Sequence, residues 1–274
     1  YAASLLAFIL LTVYWFERDR QLPDAIMEAV TLVVIVAAVV SIIAFEGLGL
    51  LSMSTEDRLV GLGITDNPNP SAFTYGFFGV IALDCARRYR GEKLAYVYAA
   101  GLLAIIVFVI LTESNTGLLA LAAGCALLFL FDRRPASPAL LIALCLGAAP
   151  AIYLAWVLGF LNAKADVGFM NRLPIWQRIL EQWQAAPAFG YGYQPTTILW
   201  PSGKSSILNY AHSGFLSTLR DGGLVGLVLL LAVYGFAMRT ALSMVFKSHR
   251  ARYLSLFVFG LVCVLVDSDQ MVTR

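Results

Sequence analysis

LAYVYAAGLLAIIVFVILT, residues 94 to 112, contains no charged side chain and no proline. Wound as an α-helix it is about 28 Å long, close to the roughly 30 Å hydrocarbon core of a bilayer. A helix also satisfies its own main-chain hydrogen bonds, which lipid cannot do for it. Comparable runs lie near residues 1–16, 26–45, 72–86, 117–131, 138–160, 222–240 and 252–267, making about eight expected spans. Composition agrees, with 60% of the 274 residues hydrophobic and 13% charged, far from a soluble domain. No internal repeat, low-complexity tract or soluble boundary interrupts the pattern, so the expected fold is all-α, one polytopic membrane bundle over residues 1–274. The chain opens on Tyr1 inside an apolar run, with no initiator Met and no cleavable leader, so it is expected to be an N-terminally truncated part of a longer protein.

The net charge of +2 and the absence of a basic face or tail exclude a nucleic-acid partner. Cys85, Cys125, Cys145 and Cys263 lack paired spacing and read as packing residues rather than a zinc or disulfide set.

Basic residues in short loops are retained on the cytoplasmic side. The groups Arg18/Arg20, Arg87/Arg88/Arg90/Lys93, Arg133/Arg134 and Arg239/Lys247/Arg250/Arg252 fall in every second loop, as alternation requires. Arg58, Lys164, Arg172, Arg178, Lys204, Arg220 and Arg274 then lie on the external side and call for another explanation. Asp84, near the cytoplasmic end of its span, is costly enough in a membrane to need a partner, and Arg87 and Arg88 are the nearest in sequence. A structural pair is expected there rather than a proton relay.

Between the sixth and seventh spans runs a large external loop, residues 161–211, of a length that is usually functional or disordered. Within it NRLPIWQRILEQWQA, residues 171–185, sets Leu173, Trp176, Ile179, Leu180 and Trp183 against Gln177, Arg178, Glu181 and Gln184. That is an amphipathic helix, capped by Asn171 with Pro174 in its first turn, lying either at the membrane surface or on the bundle. PAFGYGYQP, residues 187–195, ends it and supplies Gly190 and Gly192 for a turn whose backbone can approach another group closely; a turn with no chemical role is the plainer alternative. Further on, His212, Leu216 and Arg220 recur at intervals of four, which on a helix puts the imidazole and the guanidinium on one face. A hydrogen-bonded structural histidine is the ordinary alternative, and Gly222, Gly223 and Gly226 most simply permit close helix packing.

Four short patterns follow one another along the chain. RLVGLGITDNPNPSAF, residues 58–73, carries Arg58, Gly61, Pro68 and Asn69, and SNTGLL covers residues 114–119. Arg172, Trp176, Pro187, Gly190 and Gly192 form the third, and His212, Ser213, Leu216, Asp221, Gly223 and Gly226 the fourth. In this order, over about residues 58–226, they resemble the O-antigen ligase and O-antigen polymerase superfamily, which also takes in exopolysaccharide polymerases and bacterial protein O-oligosaccharyltransferases. The second pattern departs from the family, which commonly has Arg where this chain has Asn115. If that Arg helps hold the donor, either Arg58 or Arg220 replaces it or activity is weakened.

The resemblance implies a GT-C-like fold in the bacterial inner membrane, with the active site on its periplasmic face. It implies inverting transfer of a glycan from undecaprenyl diphosphate to an acceptor hydroxyl, on lipid A core or another glycan, beside membrane lipid. His212 is then the catalytic base, because an imidazole pKa near 6.5 suits proton transfer at neutral pH. Arg172 is the first choice for the diphosphate, whose oxygens a guanidinium binds as a fork. Arg58 and Arg220 follow, and Asn69 and Trp176 complete the substrate-binding set. Asp221 either orients His212 or pairs with Arg220, and Gly190 and Gly192 support the site. The external acids Glu56, Asp57, Asp66, Glu113 and Asp166 are scattered, so no metal and no other cofactor is expected. A polymerase extending carrier-linked repeats shares all these residues; the compact His212-Ser213 motif and short final loops favour the ligase. A transporter fits less well, because few charges lie within the spans, and an inactive homologue remains a further alternative.

Overall fold

The computed structural model describes residues 22–45, 54–55, 58–62, 67–131, 172–192, 196–199, 205–208, 213–248 and 250–266. Its helices are α1 (Leu22–Ile43), α2 (Pro68–Arg88), α3 (Lys93–Leu111), α4 (Asn115–Phe131), α5 (Arg172–Ala185), α6 (Gly214–Ser248) and α7 (Arg252–Val266). Two antiparallel ladders accompany them, β1 (Ser54–Thr55) with β2 (Arg58–Leu59) and β3 (Thr196–Leu199) with β4 (Ser205–Leu208). Both lie in connecting segments, so the fold is that of a helical membrane protein. Among the described residues, α1, α3 and α6 are long and apolar enough to cross a membrane, while α4 and α7 are apolar but shorter. Each expected span other than those over residues 1–16 and 138–160 coincides with a helix, and those two lie outside the described residues.

Helix α2 is the centre of the bundle and packs against α1, α3, α4 and α7. It begins where Asn67, in an extended conformation, accepts the Asn69 N–H on its side chain at 3.0 Å. Pro68 takes the first helical position, where a missing N–H costs nothing. Its neighbours come close because small residues lie at the crossings. A Cβ on Gly117 would meet that of Ala72 at 2.7 Å, one on Gly124 would meet Val80 at 2.8 Å, and one on Gly101 would meet Ile35 at 2.3 Å. Helices in lipid associate largely through such van der Waals contact, since burial of apolar surface gives no advantage there.

At one end of the bundle the helix termini are joined by charge. Arg88 binds Asp84 at 2.8 Å and also Glu28 of α1, whose other carboxylate oxygen accepts the Tyr89 hydroxyl at 2.6 Å. Arg252 of α7 binds Asp24 of α1 and lies 3.4 Å from Asp84, and Arg250 reaches Asp24 at 3.3 Å. The expected Asp84–Arg88 pair is therefore present. Arg87 corrects the other half of that expectation, because its guanidinium donates to the Leu128 carbonyl at 2.6 Å and covers the Phe129 ring. Arg252, remote in sequence, is the second cation at Asp84. The starts of α1 and α7 and the end of α2 thus share one side, as the alternation of basic loops demands.

The helix before the last differs from expectation in length, whereas α7 fills its expected span. Helix α6 has 35 residues where a span over 222–240 is expected. Arg239, counted among loop residues, consequently lies inside it, about two and a half turns before its end. Ala241 and Val245 pack with Leu254 of α7, which fixes the hairpin between the two helices.

Candidate active site

The opposite end of α2 lies about 28 Å from the ionic cluster, on a 1.5 Å rise per residue. There Arg58 of β2 reaches two elements at once. Its Nε donates to the Thr112 carbonyl at 2.8 Å and its Nη2 to Asn69 Oδ1 at 3.0 Å. Arg58 and Asn69, two expected substrate-binding residues, are thus in contact, and Arg58 ties the turn between α3 and α4 to the start of α2. That turn is demanding: Glu113 has φ +52, a left-handed conformation unfavourable for a side-chain-bearing residue. Ser114, buried, caps α4 by accepting the Gly117 N–H on its hydroxyl at 3.2 Å. Asn115, where the family commonly has Arg, is the first residue of α4 and is exposed.

The strand around Arg58 is fastened from below. The Gly61 N–H donates to Ser71 Oγ at 3.2 Å and the Leu62 N–H to Ser41 Oγ of α1 at 3.3 Å. A Cβ on Gly61 would stand 2.4 Å from the Tyr75 ring, which itself stacks on Phe108 at 3.9 Å between centroids. Every residue singled out in the first pattern therefore has a packing or hydrogen-bonding task.

A second assembly joins α5 to α6. Ile175 and Ile179 of α5 are buried, with Trp176 and Leu216 of α6 packed against them. Of the two placements open to this amphipathic helix, packing on another helix is the one observed. Trp176 and Ile179 of the expected face make this contact, Ile175 joins them, and Leu180 is left exposed. Arg178 pairs with Glu181 at 2.9 Å on the exposed side. Trp183 donates its indole N–H to the Pro187 carbonyl at 3.1 Å.

From that proline the turn 187–192 docks into a break in α6. Gly223 has φ +60 and ψ −158, conformations that a helix does not contain and that glycine alone adopts readily. In an unbroken helix the Leu224 and Val225 amides would donate to the Arg220 and Asp221 carbonyls, four residues back. Here those carbonyls instead accept from Tyr191 N at 2.8 Å and Gly192 N at 2.9 Å. The displaced amides are satisfied in turn, Leu224 by the Pro187 carbonyl at 2.9 Å and Val225 by that of Ala188 at 3.1 Å. Gly190 and Gly192 sit at φ +69 and +74. A Cβ on Gly190 would lie 2.4 Å from the Arg220 carbonyl oxygen, and one on Gly223 2.4 Å from that of Ala188. The close approach expected of these glycines is real. Gly223 corrects the expectation of helix packing, since it breaks α6 to admit the turn, and a Cβ on Gly222 meets nothing within 4 Å.

Arg220 is only 2% exposed, and its Nε donates to Asp221 Oδ1 at 2.6 Å. Asp221 thus pairs with Arg220, and its other expected role, orienting His212, lies outside the described residues. A buried cation without a carboxylate would cost several kcal/mol, on the order of 3–5, so this pair is a condition of burying the arginine. Ser213, also buried, accepts the Ser217 N–H on its carbonyl at 2.9 Å and leads into α6. His212 lies outside the described residues, and Arg172 opens α5 with its side chain outside them. Asp267 and Asp269, an Asp-x-Asp pair left out of the count of scattered acids, also lie outside them.

Sequence reasoning missed three participants. Thr112 supplies the carbonyl for Arg58, Ser41 holds the strand, and the Tyr191 amide enters the break. Thr112 and Tyr191 act through main-chain atoms, which leave no mark on residue type. Ser41 had a signal, a hydroxyl inside an apolar run, where it donates to the Ala37 carbonyl at 2.7 Å and still accepts from Leu62.

The O-antigen ligase family matches residues 100–231, which include both the Ser114 turn and the break at Gly223. A curated relative described as an O-antigen ligase, from Pseudomonas aeruginosa, is 31% identical over 223 residues, 79% of this chain. The aligned part is 52% of that relative, so the chain spans about half the length of the protein it matches. No solved structure matches the chain. With the four sequence patterns drawn into two assemblies, three of them inside the matched residues 100–231, and with a relative 31% identical over 79% of the chain, the chain belongs to the O-antigen ligase and O-antigen polymerase superfamily.

Proposed function

We propose that the protein is a membrane glycosyltransferase of the ligase type. It moves a complete glycan from undecaprenyl diphosphate to an acceptor hydroxyl at the periplasmic face of the inner membrane. In this reading the acceptor oxygen attacks the anomeric carbon, the bond to the lipid diphosphate breaks with inversion, and the acceptor's proton passes to His212. Arg172 faces the departing diphosphate, and Arg220, held by Asp221, contributes positive potential from the start of α6. No metal is assigned. Arg58 braces the Thr112–Ser114 turn on the same side.

The observation that carries the reading is the buried Arg220 guanidinium, paired with the partly exposed Asp221. It sits inside the segment matched by the O-antigen ligase family, eight residues after His212 in the sequence. Structural packing alone would favour an apolar residue in its place, because a buried ion pair is often no more stabilising than a hydrophobic pair. The name of the Pseudomonas aeruginosa relative supports ligase over polymerase.

The test is gel analysis of surface glycan and of carrier-linked glycan in cells lacking the gene, complemented with wild type or His212→Ala. Loss of surface attachment with long glycan accumulating on the carrier, restored by wild type and not by His212→Ala, is the expected result. Single repeats with attachment intact would instead mean a polymerase. Normal transfer by His212→Ala at normal protein level would sink the catalytic assignment.

A further inference from the structure

The exchange of main-chain hydrogen bonds at the α6 break has no role in the chemistry described so far. Packing alone does not require it. Helices α5 and α6 already meet through Ile175, Ile179, Trp176 and Leu216, and an unbroken α6 would keep its own bonds at Arg220 and Asp221. The observed arrangement replaces those two helical bonds with four between the turn and the helix, all between 2.8 and 3.1 Å. It also depends on two glycines whose Cβ positions are occupied by the other segment's carbonyl oxygens. Such contacts hold backbone to backbone with no side-chain rotamer to relax, so they fix relative position more tightly than packed side chains can.

The two segments held together are the two that carry the proposed chemistry. Arg172 opens α5, whose far end runs through Trp183 and Pro187 into the turn. His212 directly precedes Ser213 and α6, whose first two and a half turns end at the break. Resting on the function proposed above, we infer that the turn 187–192 is a positioning wedge and that Gly190 and Gly223 are positioning residues for glycan transfer. By taking over the carbonyls of Arg220 and Asp221, the wedge sets the base-bearing start of α6 against the phosphate-facing helix. Neither glycine touches substrate. Each acts through the segment it locks.

The experiment uses the full-length protein in proteoliposomes, with carrier-linked glycan extracted from cells lacking the gene as donor and core-only lipopolysaccharide as acceptor. Gly190→Ala and Gly223→Ala are compared with Gly222→Ala, whose added Cβ meets open space. Misplacement of reacting groups by about 1 Å is enough for a loss on the order of 100-fold. The expected result is a fall of that order in kcat for Gly190→Ala and Gly223→Ala, with donor KM within about twofold and thermal unfolding still cooperative. Gly222→Ala should keep both constants. Unchanged kcat in both glycine variants, or a loss confined to KM, overturns the inference.

Hydrogen exchange supplies a readout independent of activity. The Tyr191, Gly192, Leu224 and Val225 amides should be protected in wild type and exchange at least tenfold faster in Gly190→Ala, while amides further along α6 keep their protection. Fast exchange at these four positions in wild type overturns the wedge whatever the activity. If they are protected but wild type transfers no glycan, the ligase reading fails and the joint stands. Should Gly190→Ala not fold, Gly192→Ala decides, because its Cβ meets no atom within 4 Å and only its φ of +74 is strained. A kcat equal to wild type in that variant, with the four amides exchanging at least tenfold faster, would refute the positioning role.

Discussion

Replacing Arg58 by Ala separates a structural brace from a substrate contact. Two hydrogen bonds from a charged donor are lost, to the Thr112 carbonyl at 2.8 Å and to Asn69 Oδ1 at 3.0 Å. Bonds of this kind contribute about 1.5–3 kcal/mol each. Arg58 is only half-buried, so water recovers part of the loss at the freed acceptors, and about 3 kcal/mol in total is the expected cost. For a chain of this size that lowers Tm by about 6–12 °C. Arg58→Lys should recover about half, because an ammonium on a flexible stem cannot span both acceptors as the guanidinium fork does. The assay is thermal unfolding in detergent together with glycan transfer per folded molecule, with Asn69→Ala and the double variant closing a cycle. A coupling energy of about 1 kcal/mol between Arg58 and Asn69 is expected. If Arg58→Ala unfolds at the wild-type temperature yet loses transfer by 100-fold or more, the brace is wrong and Arg58 contacts the donor.

The strained turn beside it gives the opposite sign: Glu113→Gly removes a left-handed side-chain-bearing residue at φ +52 and should raise stability by about 1 kcal/mol, read as a higher unfolding temperature. A lower temperature would show that contacts of the carboxylate outweigh the backbone term. Ser114→Ala removes the cap of α4 and should cost about 1 kcal/mol in the same assay. At the other end of the bundle, Asp84→Asn takes a carboxylate from Arg88 and Arg252, each of which retains another acid, and should cost about 3 kcal/mol. Transfer per folded molecule should be unaffected, and a selective loss of transfer would contradict the assignment of that cluster to structure.

How far the sequence could be read depended on which atoms carry each contact. The spans were legible because lipid imposes one requirement, apolar side chains over a fixed length, and α3 fills its predicted run almost residue for residue. Asp84 was legible as a residue in need of a partner, since a carboxylate near lipid is costly. Its partner Arg252 was not, because an ion pair between residues 168 positions apart follows from packing and not from spacing. Gly190 and Gly192 were legible as a close approach, from composition, but not the partner they approach. The break at Gly223 was invisible for a related reason. Between Leu216 and Val228 the apolar pattern continues through it, and a glycine inside a helical run reads equally as a packing residue.

The two ends of the bundle are held by different kinds of bond, and the difference bears on function. Where α1, α2 and α7 meet, side chains do the joining, and arginines are committed to carboxylates. Where the turn after α5 meets α6, main-chain amides and carbonyls join the segments beside the packed side chains of Ile175, Ile179, Trp176 and Leu216. In the proposed reaction Arg172 and His212 are the two groups that structural ties would hinder most. A carboxylate bound to Arg172 for stability would compete with the substrate, and a hydrogen bond fixing His212 would shift its readiness to accept a proton. Main-chain bonds can join the same segments without drawing on either group. Their requirement is that nothing larger than hydrogen stand at Gly190 and Gly223, which on the proposed reading makes these two positions as intolerant of substitution as a catalytic one.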